Sequence, residues 1–138
     1  MKMLLAASLL ALGAGPAIAE DLEPFRTPSD NIHCLFIDEE GEIAVECELR
    51  DRSSGEPARP MPDDCELDWG NRFALPATGV SGLVCHGDTL ISPGSPTLAY
   101  GHEMARGGIA CFSEKSGLTC RNQDGHGFRL ARAKQELF

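Results

Sequence analysis

Six cysteines constrain the fold of this chain more than any other feature of its sequence. Their number is even and no two of them have the Cys-x-x-Cys spacing that zinc sites usually use, so three disulfides are the expected state in an oxidising compartment. Cysteines in disulfides are chemically inert, so none of the six is a candidate nucleophile. They are Cys34, Cys47, Cys65, Cys85, Cys111 and Cys120.

The N-terminus has the features of a secretory signal sequence. Lys2 precedes an apolar run over residues 3–12, and residues 17–19 (Ala-Ile-Ala) form a cleavage site of the A-x-A type. The run is far shorter than the roughly 20 residues of a transmembrane helix, and no cysteine follows it that could carry a lipid anchor. We therefore predict a cleaved signal peptide at residues 1–19 and a single periplasmic or secreted domain at residues 20–138, with no membrane anchor.

Strict alternation of apolar and charged residues over residues 42–50 predicts a half-buried strand. Residues 31–38 are a second apolar run, and Glu40-Gly41 supplies a turn between the two. A two-residue loop would place Cys34 opposite Cys47 in a non-hydrogen-bonded pair, where a disulfide is feasible. A three-residue loop with a bulge would shift the register by one residue, so this pairing is favoured but not forced.

The same order of apolar strand, polar turn and apolar strand recurs near the C-terminus. A two-residue loop at Lys115-Ser116 would set Cys111 against Cys120, which leaves Cys65 to pair with Cys85. In the chain-entropy model, closed loops of this size are each worth roughly 2.5 to 3.5 kcal/mol. We expect the disulfides to supply much of the stability of so small a domain.

Short apolar runs separated by Gly and Pro predict an all-β fold. Residues 50–64 have no hydrophobic period and are interpreted as a loop, and strand-like runs follow at residues 69–75 and 80–85. This pattern favours a small antiparallel sandwich or barrel over parallel βαβ units, which need long helical connections. Residues 131–138 could form a short helix.

The charge is distributed unevenly along the chain, whose formal net charge is −9. Residues 20–68 hold sixteen acidic and four basic side chains, net −12, whereas residues 69–138 hold five and seven, net +2. Nucleic acids and anionic membranes attract basic surfaces, so neither is an expected partner. A cationic partner is compatible with this charge, although a solvated acidic face that keeps the protein soluble is the favoured interpretation.

Several motifs follow one another in a fixed order: Thr27-Pro28-Ser29-Asp30-Asn31-Ile32-His33-Cys34, Cys65-x-Leu67-x-Trp69-Gly70, Val84-Cys85-x-Gly87-Asp88-Thr89, Leu98-x-Tyr100-Gly101, Gly117-Leu118-Thr119-Cys120-x-Asn122 and Gly125-His126-Gly127-Phe128-x-Leu130. Their combination spans Phe25–Phe138 and resembles a family of small secreted bacterial proteins known as a domain of unknown function. The resemblance implies an exported, cysteine-containing domain and carries no activity or catalytic residue over to this chain. The sequence departs from the family pattern at Asp30, where glycine is expected; both residue types tolerate a turn.

No constellation of residues fixes a reaction. The four histidines lack the i, i+4 spacing of a helical metal site. His86 with Asp88, or His126 with Asp124, has the minimal composition of a general base, but beside glycines these residue types are ordinary in turns. Residues 122–127 echo a calcium loop without the glutamate that should close it. We predict no catalytic residue, no metal and no cofactor.

The leading hypothesis is a non-catalytic binding module that recognises an envelope component or a protein partner through its loops. Trp69 could stack on a sugar, although a lone tryptophan in such a domain more often packs on the core, and the same holds for Tyr100. One alternative is a small secreted hydrolase that uses His126 with Asp124 or Asp88, and another is a structural envelope protein. The candidate ligand-binding residues are Trp69, Asp88, Tyr100, Asp124 and His126.

Overall fold

The computed structural model describes residue 13 and residues 21–138, and within them the chain forms ten β-strands and no helix. The strands are β1 (Asp21–Arg26), β2 (Ile32–Glu39), β3 (Glu42–Leu49), β4 (Arg72–Pro76), β5 (Gly82–Leu83), β6 (Glu103–Arg106), β7 (Ile109–Glu114), β8 (Gly117–Arg121), β9 (Gly127–Leu130) and β10 (Gln135–Leu137). Nothing in these residues is a helix of the length and apolarity needed to cross a membrane. The predicted signal peptide lies outside the described residues, apart from residue 13.

Each of the two sheets is a meander in which every strand pairs with the next strand along the chain. The first sheet has the order β1-β2-β3-β4-β5, and the second has the order β6-β7-β8-β9-β10. Buried side chains of both sheets form one hydrophobic cluster, so the sheets pack face to face. The predicted all-β class is confirmed, with the sandwich as the architecture.

The turn between β2 and β3 sets the register of the first hairpin. Glu40 and Gly41 have φ angles of 55° and 88°, the left-handed conformation that a two-residue type I′ turn needs at both positions. As a result, Cys34 pairs with Cys47 across the two strands, with their Cα atoms 4.1 Å apart. The bulged alternative is not adopted.

The remaining disulfides also follow the sequential pairing. Cys111 pairs with Cys120 across β7 and β8, with a Cα–Cα distance of 4.0 Å. The third disulfide joins Cys65 to Cys85, 5.8 Å apart at Cα, and connects two loops rather than two strands of one hairpin. All three predicted disulfides are confirmed.

The two hairpin disulfides lie on the inner faces of the two sheets. In each sheet the second cysteine of the hairpin is paired with a phenylalanine of the following strand: Cys47 with Phe73, and Cys120 with Phe128. All four side chains are fully buried, and the two ring centroids lie 6.0 Å apart across the sandwich. Burial of each ring contributes about 1.5 to 3 kcal/mol.

The C-terminal segment is a strand, so the predicted short helix is wrong. Gln135 pairs with Leu130 and Leu137 pairs with Phe128, and the buried Gln135 side chain donates a 2.7 Å hydrogen bond to the carbonyl of Ala131. An isolated helix of this length is marginal in water. Pairing with the open edge of β9 satisfies the backbone polar groups of both partners and outweighs the local helical preference.

The first strand is a regular edge strand of the first sheet. β1 pairs with β2 along its whole length and forms the edge of the first sheet, although it contains Pro24. An edge strand tolerates a proline because one side of it needs no hydrogen-bond donor.

Candidate functional site

The connection between the two sheets crosses the outer face of the first sheet, and we call residues 86–98 of this connection the strap. Under the strap, four neighbouring strands each present one polar side chain, because these residues are partners in the strand register. Alternation in β3 turns Glu48 outward because the preceding Cys47 points inward. This polar row consists of Arg26, His33, Glu48 and Arg72.

Members of the polar row bind the strap directly. The Leu90 N–H donates to the Glu48 carboxylate at 2.6 Å, and the Ser92 N–H donates to His33 Nδ1 at 3.1 Å. Arg26 donates from its Nε and from its main-chain N–H to strap carbonyls, each at 2.9 Å. The strap therefore supplies hydrogen-bond partners to the polar side chains that it buries. These side chains thus stabilise the fold.

Arg72 binds three carboxylates at one end of the polar row. Its side chain is only 5% exposed, and its guanidinium lies 3.1 Å from Glu48, 2.9 Å from Asp88 and 3.8 Å from Glu46. Burial raises the pKa of the Glu46 carboxyl, and the charge of Arg72 partly opposes this effect. The pKa of the exposed Asp88 carboxyl is lowered by its hydrogen bond from Arg72. Carboxylates outnumber the guanidinium, so this end of the sheet is negatively charged.

A cleft of about 200 Å³ opens beside this ion cluster, and we call it the Trp69 cleft. The indole Nε1 of Trp69 donates a 2.9 Å hydrogen bond to the carbonyl of Arg59, which fixes the ring. The favoured interpretation of Trp69 as a core residue is wrong, because its side chain is half-buried and is not part of the core cluster. The lining residues are Glu48, Asp68, Trp69, Asn71 and His86.

Two crosslinks hold the walls of the Trp69 cleft together. The Cys65–Cys85 disulfide joins the segment before Trp69 to the segment before His86. An antiparallel bridge follows it, in which the N–H of Asp68 donates to the carbonyl of His86 at 2.9 Å and the reverse bond measures 3.2 Å. The two walls are therefore fixed relative to each other.

The His86 side chain is 6% exposed and lines the Trp69 cleft. Its Nδ1 lies 2.8 Å from the carbonyl oxygen of Asp88. Since a carbonyl can only accept, Nδ1 carries the proton and Nε2 of the neutral ring is an acceptor. Nε2 is buried and has no partner within the part of the chain that the structure describes. An unpaired buried acceptor costs about 1 to 3 kcal/mol, a cost that a bound donor removes.

Tyr100 lies in a different groove, at the end of the sandwich that carries the β7–β8 turn. This groove has a volume of about 270 Å³ and is also lined by Thr27, Lys115 and Arg132. None of its lining residues lines the Trp69 cleft.

Asp124 and His126 belong to the turn between β8 and β9. The side-chain oxygen of Asn122 accepts hydrogen bonds from the N–H groups of Asp124 and His126, each at 3.1 Å, and the Asp124 carboxylate accepts one from Gly79 at 2.6 Å. These oxygens, which the sequence suggested as calcium ligands, are occupied by backbone donors. Within the described residues, no hydrogen bond or ion pair links the His126 ring to Asp124 or Asp88.

The five predicted ligand-binding residues fall in three places. Trp69 lines the cleft, and Asp88 borders it through its bonds to His86 and Arg72. The others lie in the second groove and in the β8–β9 turn. The structure therefore brings two of the five together.

Sequence reasoning missed Glu48 and Arg72 as parts of one buried cluster. Alternation correctly assigned Glu48 to the outer face, but the outer face of an antiparallel sheet is usually solvated. In this protein the strap covers the outer face, so the Glu48 side chain is buried instead of solvated. The available signal was a lone arginine at the start of β4, opposite a strand whose outer face is acidic.

The model of a family of unknown function (DUF6636) matches residues 4–138. The chain belongs to this family. No curated protein and no solved structure matches the chain. The expected membership in a family of unknown function is confirmed, while secretion and a bacterial origin stay predictions.

The structure explains the departure from the family pattern at Asp30. This residue has a φ of 60°, a left-handed conformation that glycine adopts freely and aspartate tolerates. Its carboxylate lies 3.0 Å from His33 Nε2 and 3.2 Å from the guanidinium groups of both Arg26 and Arg50. The aspartate thus keeps the turn and adds contacts to the polar row.

Proposed function

We propose that this member of the DUF6636 family is an exported, non-catalytic binding module that recognises an envelope component or a protein partner at the Trp69 cleft. One observation carries the proposal: the cleft places the indole of Trp69 beside His86, whose buried Nε2 lacks a partner within the described residues. Aromatic faces and unpaired polar atoms on rigid walls are typical of binding sites.

His33 and the terminal nitrogens of Arg72 are engaged by the fold, whereas the Nε of Arg72 is buried without a partner within the described residues. His33 is bound at both ring nitrogens, by Ser92 and by Asp30, and Arg72 is bound by three carboxylates. These side chains support the cleft without being available to a ligand. A binding module requires such rigid support, because preorganised walls lower the entropic cost of association.

The three disulfides support placement in an oxidising compartment, since such bonds persist outside the cytosol and are rare inside it. We therefore place the module in the periplasm or outside the cell. Removal of residues 1–19 on export is part of this proposal.

The proposal is tested with the full chain expressed for export, purified without reductant and immobilised. Envelope extract is passed over wild type, Trp69→Ala and Phe112→Ser, and retained material is identified by mass spectrometry. Phe112 is a matched aromatic control, because it is exposed on the outer face of the second sheet, away from the cleft. Intact mass reports export and cleavage, and thermal melting confirms that each variant is folded.

We expect wild type and Phe112→Ser to retain the same component, and Trp69→Ala to retain about tenfold less of it. Equal retention by Trp69→Ala would move the binding surface elsewhere. Failure of all three proteins to retain anything would favour a structural role, and chemical alteration of the retained component would favour a hydrolase.

A further inference from the structure

Hydrogen-bond acceptors dominate the side chains that line the Trp69 cleft. His86 Nε2 is a buried acceptor without a partner within the described residues. The amide nitrogen of Asn71 donates to the carbonyl of Leu49 at 3.0 Å, and the indole N–H of Trp69 is used by Arg59. Asp68 adds a carboxylate on an exposed residue. A ligand of this cleft must therefore bring donors.

The charge around the cleft is negative. Glu48 and Asp68 line it, and Glu46 and Asp88 surround Arg72 immediately beside it. The guanidinium groups of Arg72 and of Arg52, which packs against Gly70, oppose these carboxylates. The excess of carboxylates favours a cation over a neutral donor.

The size of the cleft and its tryptophan narrow the range of possible ligands further. A volume of about 200 Å³ is smaller than typical sites for whole drug-sized molecules, so the cleft accommodates one terminal group of a larger ligand. The face of an indole attracts cations more strongly than the other aromatic side chains do.

From these observations, and resting on the function proposed above, we propose that the Trp69 cleft binds a primary ammonium group. The three N–H donors of an ammonium match His86 Nε2, the Asn71 side-chain oxygen and the Asp68 carboxylate, and the indole ring of Trp69 lines the same cleft. A lysine side chain of a protein partner and the amino group of an amino sugar share this chemistry.

Trp69 is the sole tryptophan of the chain, so its fluorescence reports occupancy of the cleft directly. The full chain is titrated at neutral pH and low salt with a blocked Gly-Lys-Gly peptide and with glucosamine. Each probe has an acetylated control, the Nε-acetylated peptide and N-acetylglucosamine, in which acetylation removes the charge and two of the three N–H donors and adds an acetyl group. Free N-acetyltryptophanamide controls for direct quenching.

Two variants identify the groups that bind the ammonium. His86→Asn keeps a donor near the position of Nδ1 for the carbonyl of Asp88 and deletes Nε2, and Asp68→Asn removes only the charge. His102→Asn is the control, since His102 is exposed and does not line the cleft. Thermal melting confirms that the variants are folded.

We expect at least one amine probe to bind, its acetylated form to bind about tenfold or more weakly, and His86→Asn and Asp68→Asn each to lose about tenfold while His102→Asn loses nothing. A preference for the peptide identifies a protein source of the ammonium, and a preference for glucosamine identifies a glycan source. Equal binding of amine and acetylated probes, or binding of neither, overturns the ammonium assignment.

The two proposals fail separately. Envelope material that wild type retains and Trp69→Ala loses, combined with no response to amines, leaves the cleft as a binding site for another chemistry. Amine binding without any retained envelope component overturns the proposed function and leaves the ammonium site standing.

Discussion

The two sheets of the sandwich are the same five-stranded meander built twice. In both, a disulfide joins the second and third strands, and a phenylalanine of the fourth strand packs beside the second cysteine. They differ in what surrounds this common frame. The third and fourth strands are joined by residues 50–71 in the first sheet and by only residues 122–126 in the second.

The outer faces of the two sheets also differ in how much of them is covered. That of the first sheet is covered by the strap and buries Arg72, whereas that of the second exposes Phe112 and Arg129. The Trp69 cleft lies in the elaborated half, where the long loop meets the strap. The common meander therefore supplies the core of the fold, and the additions to the first sheet supply the candidate site.

The largest expected effect comes from a matched pair of arginine substitutions. Arg72→Met leaves three carboxylates without their cation on a covered face and should lower the free energy of unfolding by about 3 to 5 kcal/mol. Arg129→Met on the open face should change it by less than about 0.5 kcal/mol. Urea unfolding monitored by circular dichroism measures both. Equal losses would show that the two outer faces do not differ energetically.

The disulfide at the Trp69 cleft should be reduced more easily than the two hairpin disulfides. Cys85 is the exposed cysteine, whereas the hairpin disulfides are buried, so a mild dithiol should open Cys65–Cys85 first. Alkylation and mass spectrometry would then find labels at these two residues before any other. Loss of this bond, which spans a sequence separation of 20, should cost about 3 kcal/mol and leave both sheets folded. Earlier labelling of Cys111 or Cys120 would contradict the prediction.

A substitution at Asn122 tests how the short β8–β9 connection stabilises the packing of the two sheets. Its amide nitrogen donates to the carbonyls of Pro76 at 2.9 Å and Gly79 at 2.8 Å, so one side chain ties the second sheet to the β4–β5 turn of the first. Asn122→Ala should cost about 2 kcal/mol, because buried carbonyls lose their donor. Gln123→Ala, at the exposed neighbouring position, is the control in thermal and urea unfolding. Similar losses of unfolding free energy in both variants would show that the Asn122 hydrogen bonds between the two sheets do not contribute to stability.

The smallest effect concerns the pH dependence of stability. Burial raises the pKa of Glu46 above its ordinary value of 4.5, so its ionisation is less favourable in the folded chain than in the unfolded one. Its favourable contribution is complete below pH 4.5 and is lost as the pH rises through the raised folded-state pKa.

Glu46→Gln should therefore be more stable than wild type at neutral pH, and the difference should vanish in acid. Urea unfolding at a series of pH values measures it, with Glu103→Gln on the second sheet as control. A Glu46→Gln variant that is less stable than wild type at neutral pH would show that its attraction to Arg72 outweighs burial.

The frame of the fold could be predicted because its signals are local. Alternation around Cys47 predicted which face of the first hairpin is buried, and the Glu40-Gly41 turn favoured the observed register over the bulged alternative. The second hairpin followed the same logic. The C-terminal strand could not be predicted in this way, because its pairing with β9 depends on an edge that exists only in the assembled sheet.

The candidate site was only partly predictable for the same reason. Trp69 and Asp88 stood out by residue type, but their neighbour Glu48 comes from a strand distant in sequence. The burial of Glu48 depends on where the strap runs, which no local pattern records. Asp124 and His126 carried a plausible chemical signature, and the structure uses Asp124 to hold a turn instead.

The sequential order of the three disulfides also bears on how the protein is made. Each disulfide joins two cysteines that are consecutive along the chain. The three covalent loops therefore neither overlap nor enclose one another. A polypeptide oxidised in the order of its synthesis reaches the native pairing without skipping a thiol. Maturation of this protein should therefore depend on an oxidase and be indifferent to a disulfide isomerase.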